Sequence, residues 1–280
     1  MVRRFENQSV FITGASSGIG AALAEEFARE GAHVALAARN EQRLNEVRQC
    51  IESMGGRALA LSCDVTDRTS IDAAVARTAE VFGGINVAVA NAGFGVSGLF
   101  EQLSTDDYRR QFDTNFFGAL DTVYAVFPYL KASQGRVGIV SSVLGRVGFA
   151  ATSPYCASKF ALCGLAESID YEFREHGISV TCIDPGFVAS RFRSVDNQNV
   201  FHPERPDHVP QWLCVSAKRA ARAIVRALYR RKFEVVITGH GKIIVGLARH
   251  FPRTLRALTR TLGRGRVANV HEFKRGRPDP

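Results

Sequence analysis

The chain has 280 residues, of which 46% are hydrophobic and 22% charged, and these values argue against a disordered or fibrous protein. Its formal net charge of +9 is uneven, because seventeen Lys and Arg stand against three Asp and Glu from Val215 onward, and nineteen against twenty-four before it. Six cysteines without C-x-x-C spacing predict a reducing cytoplasm, and we expect no zinc site, signal peptide or membrane-spanning helix.

Apolar strand-like runs alternate with helix-like segments along most of the chain. This order predicts a single-domain α/β fold of the Rossmann type, with a doubly wound parallel sheet of about seven strands and helices on both faces. The predicted strands are Ser9–Thr13, His33–Ala38, Ala58–Ser62, Val87–Ala90, Val137–Ser141, Ser179–Asp184 and Glu234–Ile237. The predicted helices are Gly18–Glu30, Glu41–Met54, Ser70–Phe82, Thr105–Leu130, Pro154–His176 and Ser216–Arg231.

A glycine-rich loop joins the first predicted strand to the first helix. Gly14, Gly18 and Gly20 permit tight turns and a close backbone approach, and the helix start offers free N–H groups to a diphosphate. The alternative is an ordinary glycine-rich turn, but the position between a strand and a helix favours a nucleotide site.

The end of the second predicted strand bears on the choice of cofactor. NAD-selective sites usually place a carboxylate here, against the ribose 2′-hydroxyl. This chain has Ala38 followed by Arg39, and a guanidinium can hold a 2′-phosphate through two parallel hydrogen bonds. The sequence therefore favours NADP(H), the alternative being that Arg39 is a solvated surface residue.

The segment from Tyr155 to Lys159 has the form Tyr-x-x-x-Lys, which places both side chains on one face of a helix. A nearby ammonium is expected to lower the pKa of the Tyr155 phenol and suit it to acid and base work. Ser141 and Ser142 stand at the end of the preceding strand. Each of these features alone is frequent in proteins and often only structural.

Together, in this order and spacing, these motifs resemble the short-chain dehydrogenase/reductase family over about Phe5 to Ile237. The resemblance implies a catalytic set in which Ser142, rather than Ser141, holds the substrate oxygen and Tyr155 exchanges its proton. Lys159 would bind the ribose, and Asn115 would support a water leading to Lys159. The implied cofactor contacts are Gly14, Ser16, Ser17, Gly18, Ile19, Gly20, Arg39, Asp64, Val65, Asn91, Ala92, Gly93, Tyr155, Lys159, Pro185, Gly186, Val188 and Ser190, the last in place of the family's threonine.

The resemblance implies an NADP(H)-dependent oxidoreductase that moves a hydride between nicotinamide and a carbonyl or secondary alcohol. Seven apolar residues are predicted as walls for a hydrophobic substrate, the alternative being that they pack the core; they are Phe94, Val96, Leu144, Val147, Phe149, Phe187 and Phe192. The resemblance also suggests a homodimer or homotetramer formed through the two long helices. The alternative function is a catalytically silent nucleotide sensor or scaffold of the same fold.

The last third of the chain departs from the alternating pattern. Arg191–Leu213 contains three prolines and is predicted as a long loop or lid. We divide the chain into a catalytic domain, 1–240, and a basic C-terminal extension, 241–280, whose last stretch, 274–277, is predicted to be disordered.

An amphipathic helix is predicted between Pro252 and Gly263, with leucines on one side and arginines on the other. The leucines are Leu255, Leu258 and Leu262, and the arginines are Arg253, Arg256 and Arg260. This helix either packs on its own domain, covers the substrate pocket, docks on another subunit or lies on an anionic membrane. Nucleic-acid binding is not predicted, because no base-reading pattern accompanies the charge.

Overall fold

The computed structural model describes residues 3–202, 204 and 209–261. The strands are β1 (Ser9–Thr13), β2 (His33–Ala38), β3 (Arg57–Ser62), β4 (Val87–Ala90), β5 (Arg136–Val140), β6 (Ser179–Asp184), β7 (Val188–Ala189), β8 (Val215–Ser216) and β9 (Glu234–Val236). The helices are α1 (Gly18–Arg29), α2 (Glu41–Ser53), α3 (Arg68–Phe82), α4 (Thr105–Phe112), α5 (Gly118–Ser133), α6 (Ser153–Arg174), α7 (Ala217–Tyr229) and α8 (Gly239–His250).

Seven of the strands form one parallel sheet in the order β3-β2-β1-β4-β5-β6-β9. The predicted single-domain Rossmann fold with seven strands is confirmed. Strands β7 and β8 form a small separate parallel pair that the sequence did not predict, because each strand is only two residues long.

Helices cover both faces of the sheet, and the alternation of side chains along β1 shows how. Val10 and Ile12 pack in one buried cluster with Phe27 of α1 and Ile224 of α7, whereas Phe11 packs in the opposite cluster with residues of α3, α5 and α6. A strand buried on both faces needs apolar residues at every position, and all five residues of β1 are buried.

The strand order reverses between β1 and β4, because the chain moves from β1 towards β3 on one side and from β4 towards β9 on the other. Sheets of this kind bind ligands in the crevice at the carboxyl ends of the strands, where the order reverses. The loops that follow β1 and β4 therefore form the walls of the candidate site.

The segment predicted as one helix, Thr105–Leu130, is interrupted by a π-helical turn, Asp113–Phe117. The predicted uninterrupted helix is wrong at this point. The physical reason is tertiary, because Asn115 sits in the turn with its side chain bonded to the backbone of Phe94, 21 residues away in sequence. Such single turns often occur at functional sites.

The predicted lid contains two short helical turns, Arg191–Ser194 and Gln211–Leu213. An antiparallel bridge between Val195 and Phe201 folds its middle into a tight turn. The amide side chain of Asn197 exchanges hydrogen bonds of 2.9 and 3.0 Å with the backbone of Ser97, which fastens the lid to the loop after β4.

The predicted C-terminal helix is present, since residues 252–261 are helical. Leu255 is buried and Leu258 is 51% exposed, whereas Leu262 and the predicted disordered stretch 274–277 lie outside the described residues. Helix α8 spans the predicted boundary between the catalytic domain, 1–240, and the C-terminal extension, 241–280. That boundary stays a prediction. Among the described helices, none is long and apolar enough to span a membrane.

The packing of α7 on the sheet generates a stability prediction. Ile224 is fully buried in α7, whereas Ile243 in α8 is 66% exposed. Ile224→Ala should lower the free energy of unfolding by about 2 to 4 kcal/mol, because it leaves a cavity under the sheet. The matched change Ile243→Ala should stay within about 0.5 kcal/mol. Denaturant unfolding of both variants checks this, and equal losses would contradict the core assignment.

Candidate active site

The glycine loop after β1 is held in a conformation that side chains would block. Gly14 and Gly18 have φ angles of +65° and +56°, in the region that favours glycine. A Cβ on Gly20 would lie 2.3 Å from the Gly14 carbonyl oxygen. The Ser17 side chain makes no capping bond at the start of α1, so the amides there can receive an anion such as a diphosphate.

The loop after β4 is fastened to the glycine loop by Thr13 and Asn91. The backbone N–H groups of Asn91 and Ala92 donate to the Thr13 hydroxyl at 3.0 and 3.1 Å. The Asn91 side chain donates to the carbonyls of Thr13 and Gly14 at 2.8 and 3.2 Å. The predicted contact residue Asn91 therefore shapes the cradle, and Thr13 is a part of it that sequence reasoning missed.

The predicted adenosine contacts meet at the neighbouring strand ends. Cys63 N–H donates to the Ala38 carbonyl at 3.1 Å, which places Asp64 beside Arg39. Arg39 is exposed and Val65 is buried. The Asp64 carboxylate accepts hydrogen bonds of 2.9 and 2.8 Å from the N–H and hydroxyl of Thr66, which fixes its orientation.

Ser142, Tyr155 and Lys159 come together at the ends of β5 and α6. The Ser142 hydroxyl lies near enough to the Tyr155 phenol to oppose the rise in its pKa, and the Lys159 Nζ lies 5.7 Å from the centre of the Tyr155 ring. Pro154 stands at the start of α6, where its missing N–H costs nothing. Lys159 is buried and its ammonium donates to the Val140 carbonyl at 2.8 Å.

Asn115 lies behind this group. Its side chain accepts from the Phe94 N–H at 3.1 Å and donates to the Phe94 carbonyl at 3.0 Å. It also donates to the Ser158 hydroxyl at 3.3 Å, and Ser158 stands between Tyr155 and Lys159 on α6. Asn115 is therefore linked through Ser158 to the helix that carries Tyr155 and Lys159.

Burial sets the ionisation of this group. It raises the pKa of Tyr155 to about 12, although the nearby Ser142 hydroxyl opposes the shift. It lowers the pKa of Lys159 to about 8. The expectation that Lys159 lowers the pKa of Tyr155 is wrong for this state, because burial outweighs every other influence on the phenol. Tyr155 is therefore a protonated donor at neutral pH.

The loop after β6 closes the other side of the crevice. A Cβ on Gly186 would lie 2.1 Å from the Thr238 hydroxyl, and a Cβ on Gly18 would lie 3.2 Å from the Ser190 Cβ. Ser190 therefore faces the glycine loop, as the predicted cofactor contact requires. Its hydroxyl also accepts from the Phe192 N–H at 3.4 Å. Pro185 and the buried Val188 belong to the same loop.

The predicted substrate walls divide into two groups. Phe94 and Val96 are buried and belong to the core, so the packing alternative holds for them. The other five are at least partly accessible, and they are Leu144, Val147, Phe149, Phe187 and Phe192. The Phe192 ring packs edge-on against Tyr155 with ring centres 5.6 Å apart, which brings the lid over the reacting hydroxyl.

The glycine cradle, the switch-point crevice and the tyrosine, lysine and serine group define a dinucleotide-dependent oxidoreductase of Rossmann type. The family profile described as short chain dehydrogenase matches residues 8–200. The chain belongs to the short-chain dehydrogenase/reductase family.

Relatives carry names of oxidoreductases. A 3beta-hydroxysteroid dehydrogenase of Mediterraneibacter gnavus is 36% identical over 65% of this chain and 66% of its own length. The ketoacyl reductase HetN of a Nostoc species is 28% identical over 82% of this chain and 78% of its own length. Oxidoreductase UcpA of Salmonella typhimurium is 35% identical over 74% of this chain and 78% of its own length.

Solved structures resemble the whole domain. An alcohol dehydrogenase from Thermococcus sibiricus complexed with 5-hydroxy-NADP matches with a TM-score of 0.73 and 25% identity over 82% of this chain and 96% of its own. A short-chain dehydrogenase/reductase from Burkholderia phymatum in complex with NAD matches with a TM-score of 0.80 and 24% identity over 90% and 96% of the two chains, which shows the fold alone. The ligands of these two structures are an NADP derivative and NAD.

The closeness of Gly20 to the Gly14 carbonyl generates the site prediction. Gly20→Ala should lower NADPH affinity by at least about tenfold, because the added Cβ has to push the cradle apart. Gly246→Ala is the matched control, since a Cβ there meets nothing within 4 Å and should leave binding unchanged. Calorimetric titration of both folded variants checks this, and wild-type affinity in Gly20→Ala would argue against the cradle.

Proposed function

We propose that the protein transfers a hydride between NADP(H) and the carbonyl or secondary alcohol of a hydrophobic substrate. The observation that supports this most directly is the Tyr155 ring 5.7 Å from the buried Lys159 Nζ, with the Ser142 hydroxyl beside the phenol. When bound, NADP(H) supplies or takes the hydride, and the side chains of the chain handle the oxygen and its proton.

The ionisation of the site favours the reducing direction. Tyr155 stays protonated far above neutral pH, so it can donate its proton to an oxygen that gains negative charge. The Ser142 hydroxyl can donate a second hydrogen bond to the same oxygen. The Lys159 ammonium would hold the ribose and, with Asn115, would support replacement of the proton.

The catalytically silent alternative is disfavoured. A nucleotide sensor needs the cradle but has no use for a buried lysine beside a tyrosine and a serine, since burial of an ammonium is costly. The short distance between Tyr155 and Lys159 and the bond of Asn115 to Ser158 on the same helix support the proposed catalytic role of this group.

The substrate walls and the named relatives support a hydrophobic carbonyl compound. The accessible walls are aromatic and aliphatic, which suits an apolar ligand with one polar group. Two relatives are named for a hydroxysteroid and a ketoacyl substrate. Long-chain, steroid-like and isoprenoid carbonyl compounds therefore form the panel to be assayed.

Ionisation of Lys159 generates a pH prediction. The ammonium is the active form and is lost as pH rises through its pKa, which burial lowers to about 8. We expect kcat/KM for carbonyl reduction to be level near neutrality and to fall above this value. In Lys159→Arg the residual kcat/KM should not fall over this pH range, because a guanidinium stays protonated. The same fall in that variant would assign the titration to another group.

The preference for NADP(H) rests on Arg39. Arg39 is exposed beside Asp64 at the ends of β2 and β3, and among the described residues no carboxylate forms an ion pair with it. Nothing acidic follows Ala38 directly to repel a 2′-phosphate. One similar structure contains an NADP derivative and another contains NAD, so the comparison does not favour either cofactor. The proposed preference for NADP(H) therefore depends on Arg39.

Arg39→Asp should lower NADPH affinity by about tenfold to hundredfold, because it replaces a charge-assisted bond by repulsion. NADH affinity should hold or improve. Arg77→Asp makes the same charge change on α3, where Arg77 pairs with Glu80, and should not alter the ratio of the two affinities. Titrations with both nucleotides check this, and an unchanged ratio in Arg39→Asp would contradict the proposed selectivity.

Exposed aromatic residues support the proposed homodimer or homotetramer. Phe117, which directly precedes α5, and Tyr124 on α5 are 49% and 61% exposed, and Phe160 and Tyr171 on α6 are 46% and 71% exposed. Exposed aromatic residues are enriched at association surfaces. These are the two long helices that the sequence predicted for the contact between subunits.

We further propose that the basic C-terminal segment contacts an anionic membrane surface. Ile243, Phe251 and Leu258 are 66%, 60% and 51% exposed, next to a run in which Glu234 is the sole acidic residue between Val215 and Thr261. Apolar side chains among Lys and Arg suit a lipid interface, and such a charged face repels a second copy of itself.

The reducing cytoplasm remains the proposed compartment, since all six cysteines are free.

Arg253→Glu/Arg256→Glu should weaken sedimentation with phosphatidylserine vesicles at least about tenfold, because each basic residue contributes about 1 kcal/mol at an anionic surface. Arg77→Glu/Arg109→Glu makes the same charge change on α3 and α4 and is the control. Phosphatidylcholine vesicles should bind neither form. Equal binding by both double variants, or binding of RNA in preference to anionic vesicles, would contradict the membrane proposal.

A further inference from the structure

A chain of ion pairs runs from α8 to the loop that carries Ser142. Arg249 of α8 pairs with Glu234 at the start of β9, and the same Glu234 oxygen pairs with an Arg146 nitrogen at 3.0 Å. Arg146 Nε pairs with Asp184 at 3.0 Å, at the end of β6. From the outermost to the innermost residue of this series of ion pairs, side-chain exposure falls from 50% at Arg249 to 0% at Asp184.

The inner pair joins the two loops that hold the candidate site. Arg146 ends the short helical turn Val143–Gly145 that Ser142 begins. Asp184 directly precedes Pro185, whose carbonyl accepts from the Val143 N–H at 3.0 Å and from the Ser142 hydroxyl at 3.5 Å. The ion pair is therefore a second connection between the same two loops.

Asp184 also contacts the helix that carries Lys159. Its carboxylate lies 3.8 Å from the Cys163 sulfur and 3.6 Å from the Cys182 sulfur. Cys163 lies 3.1 Å from the Ser141 hydroxyl, which donates to the Lys159 carbonyl at 2.9 Å. A displaced Asp184 would therefore disturb both sides of the reacting group.

The cluster of Cys163, Cys182 and Asp184 also has the composition of a metal site, since its ligand atoms lie within 4.8 Å of one another. The Arg146 guanidinium, however, lies 3.0 Å from the Asp184 carboxylate and 3.4 Å from the Cys182 sulfur. It supplies the positive charge that a metal ion would bring. The arrangement is that of a buried ion pair with two thiols packed against it.

We propose that Arg146, through Asp184, is a positioning residue for Ser142, and that Glu234 and Arg249 make this position depend on the docking of helix α8. The inference rests on the role of Ser142 in the proposed function. Removing one partner of a buried pair leaves the other uncompensated. Burial already raises the pKa of Asp184, and Arg146 opposes that shift, so a variant without the guanidinium drives Asp184 to take up a proton.

The test compares Arg146→Lys, Glu234→Gln and Arg249→Ala with Arg77→Ala, which removes an exposed arginine from α3. The first readout is amide hydrogen exchange of residues 143–146 in the full-length protein. We expect exchange to accelerate most in Arg146→Lys, less in Glu234→Gln and least in Arg249→Ala, where an exposed pair is weak. The control should match the wild type, and Arg249→Lys should restore protection.

The second readout is turnover of the best carbonyl compound at saturating NADPH. Glu234→Gln should lower kcat about fivefold, with NADPH affinity unchanged. The effect should disappear in a Ser142→Ala background, because Glu234 acts through Ser142. Unchanged exchange at residues 143–146 in folded Glu234→Gln, or an equal loss of kcat with and without Ser142, overturns the positioning role.

The exchange measurement needs no substrate, so it separates the two proposals. Absence of turnover in the wild type would overturn the proposed function, and the exchange result would still decide whether the ion-pair chain holds the loop. If Arg146→Lys fails to fold, Glu234→Gln and Arg249→Ala carry the test, because both lie farther from the buried core.

Discussion

The close approach of the loops after β1 and β4 is the constraint on which the site depends. Thr13 and Asn91 tie the two loops together through four hydrogen bonds, and this leaves no room for a side chain at Gly14 or Gly20. The parallel sheet brings these loops together at its switch point. The free backbone N–H groups at the start of α1 can then bind a diphosphate. Ser142, Tyr155 and Lys159 lie on the other side of the crevice next to this helix start.

Burial then adapts the reacting groups to their proposed work. A partly buried phenol keeps its proton more firmly and a buried ammonium loses its proton more readily, so Tyr155 and Lys159 move in opposite directions from their ordinary pKa values. The same low polarity strengthens hydrogen bonds to a developing oxyanion. Arg146 and Asp184 place a compensated pair of charges behind the site, where an unpaired charge would be costly.

Much of the fold could be predicted from the sequence, because strands buried on both faces are continuous apolar runs and turns contain glycine. The glycine loop and the Tyr155 to Lys159 spacing were visible for the same reason, since they are local. The π-helical turn at Asn115 was not predictable, because it depends on bonds to Phe94. Two other contacts join residues far apart in sequence: Arg146 with Asp184, 38 positions apart, and Ser97 with Asn197, 100 positions apart. No local sequence pattern predicts such contacts.

The proposed reduction depends above all on Tyr155 as the proton donor, next to a cradle that binds NADPH. The most direct measurement is NADPH binding and turnover of the hydrophobic carbonyl panel by the wild type and Tyr155→Phe. We predict that the variant binds NADPH as the wild type does and loses at least about a hundredfold in kcat. Equal turnover by the two proteins would contradict the assignment of Tyr155, and a wild type that binds neither NADPH nor NADH would contradict the account as a whole.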